Sequence, residues 1–441
     1  MCASWPPAAL VVLKFGGSSV DGGEKIAGVA ELVGARSEPR LVVLSAMGKG
    51  TSELQRLAAR AAAGDLDGAR EDLDALAARH AQALAQVATK EADGGWVRQA
   101  IDEEAERVGA ELEGIRAAGE VTPRANDAVV SLGELLSSRL LTAALTARGV
   151  AAAWLDPRDL VATDACFGVA RPDRARIFHQ VERQARPLLA AGKVVLTGGY
   201  VGRAPSGRTT TMGRESSDLS ATLLGGALRA SAVEIWTDVD GILTADPRLV
   251  PAARLVPTLS YREAGCLARL GAKVIHPDTV APAAAVGTRV CIRNRFRPEA
   301  AGSVIGPAPA AAPLWGIAAR ETLLSSSSGK VVRARFPVEG SWALATGYRL
   351  GSVPLQLKVS RQVLAHVGRT ARVLVSVVGR LGELDGGFAP RLRHALRDLD
   401  AVEVPGRGIA VSHLLPLGEA REAVERLHRV AFEELALERA G

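Results

Sequence analysis

The sequence predicts an α/β domain built on a mostly parallel sheet sandwiched by helices, followed by a smaller α+β region. Short β-branched runs alternate with long stretches of helical apolar spacing as far as residue 305, a pattern typical of parallel α/β folds. The stretch GPAPAAAP at 306–313 is small, uncharged and broken by proline, so it predicts a linker. We therefore expect a first domain at 1–305, a linker at 306–313 and a second region at 314–441.

The elements of the first domain follow from the spacing of its apolar residues. Runs of β-branched residues predict strands, and apolar residues three or four apart predict helices. The predicted strands lie at residues 8–13, at the start of RLVVLSAMGKGTS (40–52), and at 151–155, 193–197, 232–237 and 289–292. The predicted helices lie at residues 22–34, 53–90, 96–118 and 127–149.

The region beyond the linker is organised in smaller units. LWGIAAR, VPLQLKV and RVLVSVVG are short strand-like runs. APRLRHALRDL and EAREAVERLHRVAFEEL have the apolar spacing of amphipathic helices. Short strands and helices mixed in this way predict an α+β structure.

The amino-acid composition and charge of the chain bear on the number of its domains and on the kind of ligand that it can bind. A chain of 441 residues is long enough for two or three domains, and with only 4% aromatic residues its cores must be built from Ala, Val and Leu. The net charge is +6, but basic residues are interleaved with acidic ones throughout. Nucleic-acid binders usually cluster their basic residues on one face, and no such cluster is seen, so no nucleic-acid partner is expected. The charge alone argues little, and small polyanionic substrates fit it as well.

The cysteines and the first residues predict a cytoplasmic protein. The four cysteines form no CxxC pair and have no zinc-like histidine spacing, which indicates a reducing compartment. The start MCASWPPAAL lacks the basic and apolar parts of a signal peptide. No stretch approaches the roughly 20 apolar residues of a membrane span, so no membrane partner is expected.

Two common phosphate-binding motifs are absent. The sequence contains no GxxxxGK[ST], and no GxGxxG follows a strand, so a nucleotide would have to bind by another design. In KFGGSS, Lys14 ends a predicted strand, and Gly16 and Gly17 follow it with exposed backbone amides. Such a turn can bind an anion, with the lysine as the neutralising charge, or it can be an ordinary strand–turn–helix connection.

Two further loops could carry chemistry. GRTTTMGRESSDLSATLLGGAL (207–228) is rich in hydroxyls and glycine before a helix, with Asp218 as a plausible cap. It is either a solvated loop or a site for a carboxylate or phosphate. In EIWTDVDGILTADPRL (234–249), a strand ends at Thr237 and Asp238, and ligands of open α/β sheets bind at such strand ends.

These stretches together resemble the aspartate kinases of the amino acid kinase family. KFGGSS, LSAMGKGTSEL, SLGELLS, GRTTTMGRESSD, WTDVDGILTADPR and GAKVIHP resemble six motifs of that family, in the family's order. The resemblance implies the amino acid kinase fold and ATP-dependent phosphorylation of the side-chain carboxylate of L-aspartate to 4-phospho-L-aspartate.

The resemblance also implies roles for individual residues. Lys14 would neutralise the transferring phosphoryl group, and Asp218 would orient the active-site lysines. The substrate residues it implies are Ser45, Thr51, Glu134, Arg214 and Ser217, with Arg214 on the α-carboxylate and Glu134 on the α-amino group. The nucleotide residues it implies are Gly16, Gly17, Ser18, Thr237, Asp238, Arg248 and Lys273.

The implied reaction needs no general base. The attacking oxygen belongs to a carboxylate that is already ionised near neutral pH. What remains is alignment and cancellation of charge on the phosphoryl group, with Mg²⁺ arriving on ATP and no protein metal site expected.

The sequence departs from the family pattern after Arg214, where Glu215 and Ser216 stand in place of one or two glycines. A glutamate about 5 Å from a dicarboxylate would cost about 1 kcal/mol in water-like surroundings and about 3 kcal/mol at an effective dielectric of 20. Either Glu215 points away from the substrate or pairs with an arginine such as Arg203, or the preferred acceptor is a different amino acid carboxylate bound by a kinase of the same fold. A non-catalytic regulatory homologue that uses its ACT-like half is a separate alternative that also remains open.

The region 314–441 resembles the paired ACT domains of aspartate kinases. The second unit would combine 314–320 with 371–441, and the first, at about 322–369, is short for a complete ACT domain. The resemblance implies a homo-oligomer formed through these domains. Regulation by lysine or threonine and a purely structural or dimerising role both remain open.

Overall fold

The computed structural model describes residues 10–88, 90–213, 216–272, 278–310, 314–323, 334–338, 341–345, 349–350, 353–354, 371–384, 386–404 and 410–434. The chain divides into two compact units. The first contains Met1–Asp240 and Asp278–Pro307, and the second contains Gly241–Pro277 and Ala308–Gly441.

The strands are numbered along the chain as β1 Val11–Phe15, β2 Arg40–Leu44, β3 Ala152–Trp154, β4 Val194–Gly198, β5 Val201–Arg203, β6 Thr209–Thr211, β7 Ala232–Thr237, β8 Thr258–Ser260, β9 Arg289–Asn294, β10 Ser303–Gly306, β11 Leu314–Leu323, β12 Ala334–Val338, β13 Ser341–Ala345, β14 Arg349–Leu350, β15 Val353–Pro354, β16 Ala371–Gly379, β17 Val402–Val404 and β18 Ala410–Pro416.

The α-helices are α1 Gly23–Gly34, α2 Gly50–Ala62, α3 Leu66–Val87, α4 Glu91–Ala118, α5 Pro123–Val130, α6 Leu132–Thr146, α7 Pro157–Leu160, α8 Arg174–Ala190, α9 Ser217–Leu228, α10 Tyr261–Leu270, α11 Val280–Val286, α12 Phe388–Ala395 and α13 Ala420–His428. Single 3-10 turns lie at Gly17–Ser19, Leu381–Glu383 and Leu417–Glu419, and a π turn lies at Arg429–Glu434.

The first unit is built on a central sheet in the order β3-β4-β2-β1-β7-β9-β10. All of these neighbours run parallel except β9 and β10, which are antiparallel. β2 and β4 are buried along their whole length, as expected for parallel strands covered on both faces. The prediction of a mostly parallel sheet flanked by helices is confirmed, and the carboxyl ends of β1, β2, β4 and β7 lie along one edge.

Helix α6 lies at the centre of the first unit. Every residue from Leu132 to Leu145 is buried, as expected for a helix covered on all sides by the rest of the unit. By length and composition, the helical run Pro123–Thr146 is the one described stretch that could cross a membrane, although the sequence pattern predicted none. Of its most apolar window, 94% is buried inside the protein.

Two predicted helices are each broken into two. The segment predicted as one helix at 53–90 is interrupted at Gly64, whose φ of +95° ends the first helix, and Asp65 then caps α3 by accepting from the Gly68 amide at 3.0 Å. The segment predicted at 127–149 is divided at Ser131, between α5 and α6.

The second unit contains a sheet in the order β11-β16-β18-β17, in which all neighbours are antiparallel. Helices α12 and α13 contribute Leu392 and Leu427 to its core, beside Val375 and Leu415 of the sheet. This agrees with the α+β prediction. Most of 322–369, the predicted first ACT unit, lies outside the described residues.

The compact units divide the chain after Pro307, and they also place residues 241–277, which lie inside the predicted first domain at 1–305, in the second unit. Thr244 explains part of this assignment: its carbonyl accepts from the Ile317 amide at 2.7 Å, and its hydroxyl lies 3.0 Å from Nε2 of His428. Glu263 similarly accepts from the Ala310 amide at 2.8 Å. Thr244 and Glu263 are thus hydrogen-bonded to one residue inside the predicted linker and to two residues beyond it.

Candidate active site at the carboxyl edge of the sheet

Lys14 and Asp218 form an ion pair at the end of β1. Nζ of Lys14 lies 2.7 Å from Oδ1 of Asp218, and both side chains are largely buried, with 12% and 14% exposed. Asp218 stands in the first turn of α9, where a carboxylate is favoured by the helix dipole. It does not act as the N-cap, since Ser216 occupies that position without a side-chain cap bond. The carboxylate instead holds the lysine ammonium at the edge of the sheet.

The turn after Lys14 is built from two glycines with different reasons for lacking a side chain. A Cβ at Gly17 would lie 2.6 Å from the carbonyl oxygens of Ala46 and Gly48, so only glycine allows the loops after β1 and β2 to touch. A Cβ at Gly16 would instead have Lys14 Nζ as its nearest neighbour, at 3.7 Å. The side-chain-free surface at Gly16 therefore faces the ammonium.

The 3-10 turn Gly17–Ser19 sets the direction of the backbone amides. The amides of Ser19 and Val20 bond back to the carbonyls of Gly16 and Gly17, at 2.9 and 3.1 Å. The first amides of any helical turn have no partner within that turn, so those of Gly17 and Ser18 can receive an anion. Ser18 is exposed, which leaves its hydroxyl accessible.

Ser45 and Thr51 lie in the loop that follows β2. The Ser45 amide donates to the Phe15 carbonyl at 3.1 Å, and its carbonyl accepts from the Ser137 hydroxyl on α6 at 2.8 Å. These bonds join the loop to β1 and to the central helix. Thr51 is partly exposed in the first turn of α2.

Glu134 is a buried carboxylate in the first turn of α6, with 2% of the residue exposed. Burial raises its pKa to about 8, against the opposing effects of the Ala46 amide and the Lys14 charge. Its Oε2 atom is buried and has no hydrogen-bond partner among the described residues. An acceptor of this kind is suited to a cationic ligand group.

Ser217 is positioned by close backbone approach from the end of β4. A Cβ at Gly199 would lie 2.7 Å from the Ser217 Cβ and 2.9 Å from its Oγ, and a Cβ at Gly198 would lie 3.1 Å from the Glu134 Cβ. The next residue, Tyr200, has a φ of +63° and donates its amide to the Ser220 hydroxyl at 2.9 Å. The Gly198–Gly199 pair thus brings β4, α6 and α9 together.

Asp127 is a polar residue of this region that the motifs did not mark. It is fully buried on α5 and accepts from the Thr211 hydroxyl at 2.6 Å, the Thr211 amide at 2.9 Å and the Gly168 amide at 2.8 Å. Burial raises its pKa, and these donors oppose the rise. Its one sequence signal was an aspartate opening the apolar helix DAVVSLGELL.

The predicted nucleotide residues Thr237 and Asp238 lie at the end of β7. The Thr237 hydroxyl donates to Asp238 Oδ1 at 3.1 Å, and Asp238 is exposed. Asn294, at the end of β9, donates to Asp240 at 2.7 Å. Another residue missed from the sequence is Arg295, whose Nη1 donates to the Ser19 carbonyl in the glycine turn at 3.3 Å.

Of the remaining predicted residues, the structure describes only Arg248. Arg248 lies in the second unit, where it is exposed and pairs with Asp246 at 2.6 Å. Arg214, Glu215 and Lys273 lie outside the described residues. Their predicted roles stay predictions.

The assembled groups suit transfer of an anionic group between two anionic partners. Lys14 provides a fixed cation beside glycine amides, and Glu134 provides an acceptor for a ligand cation on the same side of the sheet. Among the described residues there is no cluster of three or more His, Cys, Asp or Glu side chains that could hold a metal ion.

Comparison with known proteins identifies the family. The model of the amino acid kinase family matches residues 9–294. Lysine-sensitive aspartokinase 3 of Escherichia coli (strain K12) is 36% identical over 334 residues, which cover 74% of this chain and 71% of that protein. The chloroplastic bifunctional aspartokinase/homoserine dehydrogenase 2 of Arabidopsis thaliana is 32% identical over 300 residues, and the match spans 32% of its length.

A solved structure matches nearly the whole chain. The crystal structure of E. coli aspartokinase III in complex with aspartate and ADP, described as the R-state, has a TM-score of 0.79 at 30% identity and covers 96% of this chain and 100% of that one. Its T-state complex with lysine and aspartate has a TM-score of 0.73 at 29% identity. With the ordered motifs and the assembled lysine and carboxylates, these matches establish that the chain belongs to the amino acid kinase family and, within it, to the aspartokinases.

Proposed function

We propose that this chain transfers the γ-phosphoryl group of ATP to the side-chain carboxylate of L-aspartate, giving 4-phospho-L-aspartate and ADP. The observation that carries the proposal is the Lys14–Asp218 pair, 2.7 Å long, beside a glycine turn that leaves the lysine ammonium approachable. An ammonium fixed at this point can offset the negative charge of the phosphoryl group as it moves.

In the reaction, an oxygen of the aspartate side chain bonds to the γ-phosphorus, and the bond from that phosphorus to the bridging oxygen of ADP breaks. The attacking carboxylate is already ionised near neutral pH, because its ordinary pKa is about 4. No protein group has to remove a proton. Alignment and charge cancellation are the tasks left to the protein, and Lys14 with the amides of Gly17 and Ser18 would perform them.

Glu134 would bind the α-amino group of aspartate. Its buried carboxylate has an unpartnered oxygen, and an ammonium group placed there would satisfy it and restore its charge. The α-carboxylate would be bound by Arg214, a task suited to a guanidinium. Ser45, Thr51 and Ser217 would provide hydroxyls around the same substrate.

Thr237 and Asp238 would contact the nucleotide at the end of β7, and Arg248 and Lys273 are proposed for the same ligand. Mg²⁺ would arrive on ATP and add charge neutralisation at the phosphates. The ion would be held mainly by phosphate oxygens and water.

The test is to incubate the purified chain with MgATP, one candidate acid and hydroxylamine, which converts an acyl phosphate to a hydroxamate. We expect hydroxamate with L-aspartate and much less with glutamate, N-acetylaspartate or D-aspartate. Product with another amino acid alone would select the alternative acceptor that Glu215 and Ser216 raise. No product with any acid, together with unimpaired ADP binding, would select the non-catalytic homologue.

We also propose that the chain forms a homo-oligomer through its second unit. The support is the four-stranded antiparallel sheet with α12 and α13, which agrees with the predicted ACT-like architecture. Light scattering coupled to gel filtration should give a multiple of the 45.9 kDa chain mass. A monomer at micromolar concentration would contradict this part of the proposal.

A further inference from the structure

Asp127 is a buried carboxylate whose contacts are aimed at two loops rather than at a cation. Oδ2 accepts from the amides of Thr211 and Gly168, and Oδ1 accepts from the Thr211 hydroxyl. All three contacts donate to the carboxylate, which suits an ionised group. An amide could keep both backbone donors on its oxygen, but it would lack the negative charge that strengthens these bonds. Burying a carboxylate costs free energy, which these hydrogen bonds and one from the Asn126 side chain offset.

The two bound loops lie next to each other and lead into the proposed aspartate site. Thr211 ends β6, and the chain continues directly through Gly213 to residue 214. A Cβ at Gly213, which has a φ of +92°, would lie 3.8 Å from the Gly168 carbonyl oxygen. Asp127 therefore fixes the strand end from which the substrate loop starts and the loop that lies against it.

The same carboxylate is linked to Glu134 through helix backbone. Asp127 and Glu134 are seven residues apart, about two helical turns, on α5 and α6. Ser131 joins the two helices. Its amide donates to the Asp127 carbonyl at 3.2 Å, and its carbonyl accepts from the Leu135 amide at 3.2 Å. A helical segment of this kind sets a nearly fixed distance between the two carboxylates.

We infer that Asp127 is a positioning residue for the phosphoryl acceptor: it holds the start of the 212–217 loop at a set distance from Glu134. The inference rests on the proposed function, in which these two elements bind opposite ends of the same amino acid. Loss of the Asp127 hydrogen bonds should weaken the binding of aspartate. The glycine turn and the end of β7, where the nucleotide is proposed to bind, should stay unchanged.

The test compares Asp127→Asn with the wild type. The asparagine amide group has the same shape but carries no negative charge, so the hydrogen bonds that it keeps are no longer charge-assisted. We expect the KM for aspartate to rise about tenfold, in line with the weakening of charge-assisted hydrogen bonds, while the KM for MgATP stays within about twofold. The Kd for ADP, measured by calorimetry without aspartate, should also be unchanged.

Two further variants separate positioning from general stability. Thr211→Val removes the hydroxyl that donates to Oδ1 and should raise the KM for aspartate, while Thr211→Ser retains it and should restore the wild-type value. Glu104→Gln alters another buried carboxylate, paired with Arg107 at 2.7 Å on α4, and should lower the melting temperature without changing either KM.

Folded Asp127→Asn and Thr211→Val variants with unchanged KM for aspartate would overturn the inference, as would equal rises in both KM values. Failure of the proposed function would be recognised in the wild type, which would then give no hydroxamate with aspartate. If Asp127→Asn does not fold, the valine and serine variants of Thr211 decide the matter alone.

Discussion

At the scale of single residues, Lys14 is the group on which the proposed chemistry depends. Lys14→Ala removes the ammonium held by Asp218, so charge on the transferring phosphoryl group would lose its fixed partner. We expect kcat to fall about 100- to 1,000-fold, the range for removal of one transition-state donor, as measured by hydroxamate formation. Lys25→Ala is the matched control, because Lys25 is exposed and pairs only loosely with Asp21, at 3.8 Å. A Lys14→Ala variant with near-wild-type turnover would contradict the mechanism.

The adjacent glycines should respond differently to the same change. Gly17→Ala places a methyl group 2.6 Å from two backbone carbonyls, which cannot move independently of the loops that carry them. We expect a lower melting temperature together with loss of activity. Gly16→Ala meets no atom closer than the Lys14 ammonium at 3.7 Å, so it should leave the melting temperature nearly unchanged and raise the KM for ATP. Thermal denaturation and steady-state kinetics on both variants check this, and equal loss of stability would refute the distinction.

Site residues could be predicted where they stand inside a motif, and not where they act through folding. The glycine turn, Glu134 and Asp218 were predicted as site residues because their motifs occur in order along the chain. Asp127 and Arg295 act through contacts with residues 41 and 276 positions away, which no local pattern displays. The pairing of Asp218 with Lys14 also replaced the cap role that helix position alone suggested.

At the scale of elements, α6 presents Glu134 to the site from inside the core. Burial raises the pKa of Glu134 from 4.5 to about 8. Between these two pH values, the folded protein therefore holds a proton that the unfolded chain has lost. Unfolding therefore releases a proton in this range, and the contribution of Glu134 to stability falls as pH rises, by up to about 1.4 kcal/mol per pH unit. Below pH 4.5 both states are protonated, and the contribution no longer changes.

The measurement is urea denaturation of the wild type and Glu134→Gln without ligand between pH 5 and pH 8. The wild type should lose stability relative to the glutamine variant as pH rises across this range. A constant difference between the two proteins would show that the carboxylate is ionised throughout. Asp67→Asn offers a control, because it removes an exposed carboxylate in the first turn of α3 and keeps Glu134, so its stability should fall with pH as that of the wild type does.

Binding of aspartate should act on the same proton. An ammonium group beside Glu134 favours the ionised carboxylate, so binding near pH 7 is expected to release a proton. Calorimetry in two buffers of different ionisation enthalpy measures this release directly. The Glu134→Gln variant should bind more weakly and release none, whereas proton uptake on binding to the wild type would contradict the assignment.

The types of most elements in the first unit followed from periodicity, because parallel strands buried on both faces form short β-branched runs. The strand predicted at 232–237 is observed over those residues. The breaks at Gly64 and Ser131 were missed, since both interrupt stretches whose apolar spacing continues on either side. Ser131 has helical dihedral angles, so the change from α5 to α6 needs no glycine or proline that would mark it in the sequence.

At the scale of the whole molecule, the discontinuous second unit is the feature that could not be predicted from the sequence. Composition changes at the proline-rich stretch after residue 305, and this change marked the cut. Residues 241–277 have the composition of the first domain, and their hydrogen bonds to Ile317, His428 and Ala310 join partners far apart in the chain. The boundary of a unit depends on such contacts rather than on local amino-acid composition.

A chain that ends at residue 307 tests this division. It retains 241–277 but lacks the strands and helices with which Ala245 and Val250, each 5% exposed, share a core. The amides of Thr244 and Val256, bonded to Arg254 and Ile242 at 2.9 and 2.8 Å, should then exchange faster than in the full chain, because their segment has lost its packing. Hydrogen exchange with mass spectrometry measures this, and β1 should remain as protected as before. If residues 241–277 kept their full protection in the shortened chain, they would belong to the first unit, and the division drawn from the contacts would be wrong.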